Sequence, residues 1–330
     1  VIEKEPGGNL LVLTSSLQSH YENVIQEIDR QTGKVVNELV LEDLLDCEYV
    51  DRADWVHVNT VSYQPESDTI LISARNLESV IKLNWTTKEI QWILCDPRFW
   101  EGTEYESYVL QPEGEFVYHF QQHTAYEMEE DMDGNPDTIE ISMYDNHYVK
   151  VRKSKLDYYD NDDASYLLVY SVDEAAGTVR QIKKIPTIYS KITSSMIYDS
   201  ESGHVFGMCG WVPRAEDKRK GMTYEFDYDT EEILNQFSIK TTFYRACEMR
   251  IDYNDLAASM KLEENTICGE LIQPVKVTDP ENVTAPQTVI SQENVTLHLT
   301  GSVLYVGTLD HQISQIVFRG AEHTYVYDTT

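Results

Sequence analysis

Basic residues are scarce in this chain: 26 Lys and Arg stand against 57 Asp and Glu among 330 residues, a formal net charge of −31. Nucleic acid is therefore an unfavourable partner, because phosphate recognition needs a basic face. A small anionic substrate would need a local positive pocket to overcome the global field. Cysteine is nearly as sparse. The five present (Cys47, Cys95, Cys209, Cys247, Cys268) are widely spaced and form no Cys-x-x-Cys pair, which argues against zinc and thioredoxin-type sites. Buried free thiols are expected, with one or two disulfides as the alternative. No apolar run of about 18 residues occurs, so no membrane-spanning helix is expected. A Gly-rich phosphate loop, a Gly-x-Ser-x-Gly elbow and a His-Glu-x-x-His helix are missing too. A chain that starts at Val1, with neither Met nor a signal peptide, is expected to be a mature product or a fragment.

What the chain does have is a repeated pattern. Four segments read as apolar strand, polar turn, apolar strand: Val24–Val36, Val80–Ile90, Leu168–Val179 and Thr223–Ile233. Their alternation has period two, and their Asp, Thr and Gly turns suit tight hairpins. Further strands precede them at Asn9–Leu13, Thr69–Ala74, Ser165–Leu167 (continuing from Ile139–Tyr144) and His204–Cys209. Strand quartets recurring at intervals of several tens of residues are the mark of propeller blades. The expectation is an all-β β-propeller over residues 1–265, followed by a linker and a small C-terminal β segment over 266–330. Helical periodicity is confined to Leu39–Leu45 and Asn254–Leu262. Long loops fall at Asp96–Gly114, Lys150–Asp163 and Trp211–Gly221, and loops of such length are usually functional or disordered.

Two of the 9 histidines, His57 and His123, sit at apparent strand starts. Strand starts in a closed β architecture face a shared centre, where distant imidazoles could meet, bind an oxyanion or move a proton. A histidine satisfied by a backbone carbonyl is the plainer alternative. Asn59 stands beside His57. Arg245, just after a predicted strand and turn, and Arg75, ending Ile72-Ser73-Ala74-Arg75, stand where a cation could face the cavity, or could pair with one of the many carboxylates. Asp131-Met132-Asp133-Gly134-Asn135-Pro136-Asp137 has the look of a calcium loop but lacks the downstream Glu at the usual position, so an acidic turn is favoured and no metal site is expected.

Taken in order, Asp54-Trp55-Val56-His57-Val58-Asn59-Thr60-Val61-Ser62-Tyr63, its continuation Ser67–Asn76, Gln122-His123-Thr124-Ala125, Tyr144-Asp145-Asn146 and Phe243-Tyr244-Arg245-Ala246 resemble the bacterial arylsulfate sulfotransferase family. The resemblance runs from the first residues to about residue 255. It implies a six-bladed propeller, often with an N-terminal β-sandwich. About four blade signatures are visible here, so the first blades are missing or the chain is a cut-down relative. It also implies a ping-pong transfer of a sulfuryl group from an aryl sulfate to a phenol through a histidine, with no cofactor. The location implied is periplasmic, secreted or at the cell surface of a bacterium. The partners implied are phenolic sulfates and phenols, with a homo-oligomer left open.

By the same resemblance, His57 and His123 would hold the sulfuryl oxygens and protonate the leaving phenolate, with Asn59 in support and Tyr126, Trp100 or Trp211 stacking on the aryl ring. Two positions depart from the family pattern. The arginine expected after an Asp-Asn-Gly strand end is replaced by Lys150 or Arg152 as nearest cation. Met208 stands where the nucleophilic histidine is expected, which leaves a slipped alignment, His204 or another histidine as substitute, or loss of the nucleophile. His204 and Met208 share a strand face but lie about 13 Å apart. A propeller that binds phenolic or sulfated ligands without turnover is the second reading, and a scaffold using the acidic rim is the third.

Overall fold

The computed structural model describes residues 2–15, 20–46, 53–148, 164–213 and 220–246, together with the backbone of five strands between residues 275 and 328. Two compact units divide the chain, Val1–Glu248 and Met249–Thr330. The first is built of antiparallel sheets. β1 (Ile2–Glu3), β2 (Leu10–Thr14), β3 (Val24–Ile28) and β4 (Val35–Val40) form the first in simple up-and-down order. β5 (Val58–Gln64), β6 (Thr69–Ala74), β7 (Ser79–Asn84) and β8 (Ile90–Leu94) form the second. In the third, β10 (His123–Glu127), β11 (Ile139–Asp145), β12 (Ala164–Asp173) and β13 (Thr178–Ile188) gain a parallel edge strand, β9 (Gln111–Glu113). β14 (Ser195–Asp199), β15 (His204–Val212), β16 (Lys220–Asp227) and β17 (Ile233–Ile239) complete the fourth.

Local chemistry explains the repeat. The turn between the third and fourth strands of each sheet is closed by an acid or amide at the end of the third strand. Asp29 Oδ1 accepts from Thr32 N at 2.7 Å, Asn84 Oδ1 from Thr87 N at 2.8 Å, Asp173 Oδ1 from Ala176 N at 2.8 Å and Asp227 Oδ1 from Thr230 N at 2.8 Å. Such Asx turns set the register of the hairpin that follows.

Period-two alternation then sends neighbouring residues into different cores. Ile70 and Ile72 pack with Leu11, Ile25 and Trp85 between the first two sheets, while Leu71 joins Val80, Trp92, Ile141 and Leu168 between the second and third. Leu167 and Val169 face the fourth sheet, beside Met196, Val205 and Phe226. A strand covered on both faces reads as an unbroken apolar run, and all six residues of β6 are buried. Each fully buried Leu or Ile contributes roughly 1.5–3 kcal/mol. Successive meander sheets stacked face to face, with their first strands β5, β10 and β14 adjacent, are the blades of a β-propeller. Polar ties cross the same interfaces. Trp85 Nε1 donates to Glu27 Oε2 at 2.6 Å, and buried Lys82 bridges Glu127 at 3.0 Å and Glu174 at 2.8 Å.

Several details differ from the sequence reading. Ile139–Tyr144 and Ser165–Leu167 belong to separate strands paired antiparallel, because Asp145-Asn146-His147 leaves the strand path with His147 at φ 52°. Leu39–Leu45 supplies only one helical turn, α1 (Leu41–Leu44), because β4 takes Leu39 and Val40. Asp96–Gly114 is organised by short 3₁₀ turns at Pro97–Phe99 and Glu106–Tyr108 and ends in β9. Residues 254–262 and 150–163 lie outside the described residues. Cys95 and Cys209 are buried, and the other three cysteines lie outside the described residues.

The second unit holds two sheets by itself. β18 (Val275–Val277), β22 (Thr324–Asp328) and β21 (Gln315–Arg319) form one, and β19 (Val295–Thr300) with β20 (Val303–Thr308) the other. No helix among the described residues is long and apolar enough to cross a membrane.

Candidate functional site

The first strands of three successive blades start at the same end of the first unit, and their starts are irregular in a consistent way. His57, just before β5, has φ 48°; Gln121 and Thr124, around the start of β10, have φ 56° and 53°; Thr193 and Ser194, before β14, have φ 62° and 98°. Left-handed backbone at non-glycine residues is costly, most of all for β-branched threonine, and tends to concentrate at functional sites. β5 and β10 also each carry a bulge at this end, between Val58 and Thr60 and between His123 and Tyr126. A bulge re-aims the side chains beside it.

These starts are tied to one another. Asn59 Nδ2 donates to Gln122 O at 2.7 Å, Thr124 N to Thr60 Oγ1 at 3.0 Å, and Met196 N to Thr124 Oγ1 at 3.2 Å. The segment after β17 folds back onto the same mouth: Phe243 N donates to Gly210 O, and Arg245 donates to Asn59 O at 3.2 Å and Thr60 Oγ1 at 3.4 Å.

His123 lies at the centre of this arrangement, 2% exposed. Its Nδ1 is 2.6 Å from Asn146 Oδ1 and 3.2 Å from Gln121 O. A backbone carbonyl only accepts, so Nδ1 carries the ring proton. Asn146 is oriented independently, since its Nδ2 donates to Ser190 O at 2.6 Å and Thr193 O at 3.0 Å. Burial above all, and then the charges of Arg75 and His57, hold His123 down to about 3. The ring is therefore neutral at pH 7, and Nε2 keeps its lone pair.

Around it stand Arg75 and His57. Arg75, 7% exposed, begins the 3₁₀ turn Arg75–Leu77 at the end of β6, where its N–H reaches His57 O at 3.1 Å and its carbonyl accepts from Gln121 Nε2 at 3.0 Å. The guanidinium donates to Asn76 Oδ1 at 3.2 Å and its Nε has no partner. Burial lowers its pKa, against the opposing pull of Asp54, Tyr244, Glu22 and Glu78. His57 is a quarter exposed; its Nδ1 lies 2.8 Å from Asp54 Oδ1 and 3.2 Å from Glu22 Oε2. Half-exposed Tyr244 sets its ring edge-on to His123 with centroids 6.5 Å apart. The arrangement offers one uncharged ring nitrogen, a buried guanidinium, a histidine beside two carboxylates and an aromatic edge.

The structure brings His57, Asn59, His123 and Arg245 to this mouth, with the Asn59 amide engaged between strands. His204 is elsewhere: it pairs in register with Asp199 and Asp227 at the far end of β15, with Nδ1 2.7 Å from Glu225. Met208 is the β15 residue at the mouth, buried opposite Ser195, whose hydroxyl donates to its sulfur at 3.4 Å. Tyr126 points into the interface between the third and fourth blades, its Oη accepting from Tyr198 N at 3.2 Å. Trp100 is a core residue, donating to Ser79 Oγ at 3.1 Å. Lys150 and Arg152 lie outside the described residues. Asn146 and Gln121, which orient His123, were not singled out in sequence. The adjacency of Asn146 to Asp145 in a strand-end motif was the available signal.

With this geometry in view, the chain belongs to the arylsulfotransferase (ASST) family, whose model matches residues 2–248. Similar curated proteins are the arylsulfate sulfotransferase AssT of Escherichia coli O6:H1, 26% identical over 60% of this chain and 36% of the relative, and AssT of Lelliottia amnigena, 25% identical over 58% and 35%. The chain thus spans about a third of the length of the curated relatives it matches. Among solved structures, the WD40 domain of Toxoplasma gondii coronin is similar with a TM-score of 0.34 and 5% identity over 70% of this chain and 42% of that one. The periplasmic gluconolactonase PpgL of Pseudomonas aeruginosa follows with 0.33 and 9% identity over 73% and 69%. Likenesses this faint carry no argument.

Proposed function

We propose that this chain takes part in sulfuryl transfer from an aryl sulfate to a phenol, with His123 as the nucleophile. The observation that supports this is the tautomer: both partners of Nδ1 accept, so Nε2 offers a lone pair in the mouth. In the first half-reaction Nε2 bonds to sulfur, the bond from sulfur to the aryl oxygen breaks, and the phenolate leaves with the electron pair, taking a proton from His57 or water. In the second, an acceptor phenol attacks sulfur, the sulfur–nitrogen bond breaks with its pair returning to Nε2, and the phenolic proton leaves through the same group. Such transfers pass through a loose anionic transition state, which the Arg75 guanidinium would stabilise. His123 itself has no ring proton free to donate, so the acid role falls to His57, whose Nδ1 lies beside Asp54 and Glu22. The proposal extends to a periplasmic, secreted or cell-surface location.

The test is incubation with p-nitrophenyl sulfate and phenol, followed by release of nitrophenolate. Sulfuryl adduct mapped to the His123 peptide with donor alone is the expected result. A His123→Ala variant that keeps a rate within about twofold of the parent would overturn the assignment.

The second reading, binding of phenolic or sulfated ligands without turnover, has Met208 in its favour. Saturable binding of the same sulfate with neither adduct nor release would select it.

A further inference from the structure

The turn joining β10 to β11, at residues 128–138, lies at the end of its blade opposite His123. Here carboxylate oxygens of Asp131, Asp133 and Glu140 all come within 4.8 Å of one another. Glu140, on β11, supplies the acid whose absence from the usual position weakened the calcium-loop motif in the sequence. Strand geometry brings it back beneath the turn, three residues after Asp137.

Each member is held in place. Asp131 Oδ1 accepts from Gly134 N at 2.7 Å and Asn135 N at 3.1 Å. Asp133 accepts from Asn135 N at 2.8 Å, Ser171 Oγ at 2.6 Å and Arg180 at 2.6 Å. Glu140 is 3% exposed, and its Oε1 is buried with no hydrogen-bond partner. An unsatisfied buried carboxylate oxygen is costly and requires an explanation. Arg180 offsets one of the three negative charges, so two remain for a divalent ion.

We propose that Asp131, Asp133 and Glu140 form a binding site for Ca²⁺. The donor set is oxygen only, which suits a hard cation and not zinc or copper. A turn supplying two ligands and a strand the third is more adaptable than the rigid octahedron Mg²⁺ demands. The ion would cap the β10–β11 hairpin, whose far end carries His123 and Asn146, so its role is structural and independent of sulfuryl transfer.

The test is the thermal unfolding midpoint of the full chain in EDTA and in millimolar CaCl₂, for the parent and for Glu140→Gln. The substitution preserves shape and removes the buried charge, so the variant is expected to fold. Binding in the range of about 10⁻⁴–10⁻³ M, typical of extracellular modules, would raise the parent midpoint. Glu140→Gln is expected to show no response to CaCl₂. Terbium luminescence, excited through the tyrosines, should saturate in the parent and fail in the variant. An equal response of both proteins would locate the ion elsewhere on the acidic surface and overturn the proposal. So would the absence of any response in the parent.

Discussion

A histidine at a strand start is ambiguous on its own; its hydrogen-bond partners decide what it can do. For His123 those partners are Asn146 Oδ1 and Gln121 O, both acceptors, and they leave Nε2 unprotonated. Under the proposed function Asn146 would act as a positioning residue. Asn146→Ala is expected to lower kcat tenfold or more while KM stays within about twofold, since a wrong tautomer removes reactivity and not binding. Nitrogen-15 NMR of the His123 ring is the decisive reading: the proton should redistribute toward Nε2 in the variant, and an unchanged tautomer would end this account. The sequence made His57 and His123 visible as polar groups at strand starts. It could not show Asn146 as a partner, because the contact spans 23 residues and depends on the pairing of His123 with Tyr144.

Among the elements, β15 illustrates how one small residue admits a neighbouring segment. A Cβ on Gly210 would stand 2.2 Å from Phe243 O and 2.4 Å from Thr193 Oγ1. Glycine there lets the chain after β17 close against β15 and carry Tyr244 and Arg245 to the mouth. Gly210→Ala is expected to displace that segment and cut turnover of p-nitrophenyl sulfate roughly tenfold or more, as misplacement of about an ångström can. The stability cost should stay within about 1–3 kcal/mol, the usual range for overpacking. Steady-state kinetics with a denaturant titration separates the two effects, and unchanged kinetics would remove the segment from the site. Hairpins at this scale were legible, because Asp and Asn at the ends of third strands announce their turns. The first strands β5 and β10 were harder to read, since their bulges interrupt the alternation on which a strand is recognised.

Over the whole molecule, two fully buried histidines tie folding to pH. Burial first, and then the charge of His147 against the opposing pull of Asp145, holds His119 down to about 4, and both of its ring nitrogens lack partners. His123 is held lower still, to about 3. In the unfolded chain each titrates near 6.5, so below that pH the unfolded state binds protons that the folded state refuses. The contribution of these two histidines is therefore fully present above about pH 6.5 and is lost as pH drops toward 4, each unit of depression being worth about 1.4 kcal/mol per histidine. Urea midpoints between pH 7.5 and 5 should show the decline. His119→Phe should flatten it, and an unchanged slope in that variant would exclude His119 as its source.

The residues alone determined the β class, the recurring hairpins, the acidic surface and the membership of two histidines in a family motif, because each follows from local pattern or short-range turn chemistry. Tertiary structure decided which polar groups share a mouth, which nitrogen of His123 is bare, that His204 stands at the far end of its strand, and that Glu140 lies beneath Asp131 and Asp133. Those outcomes depend on register and on the stacking of one blade against the next. A shift of a single residue in strand pairing reverses the face on which every side chain emerges, and no local pattern carries that information between blades.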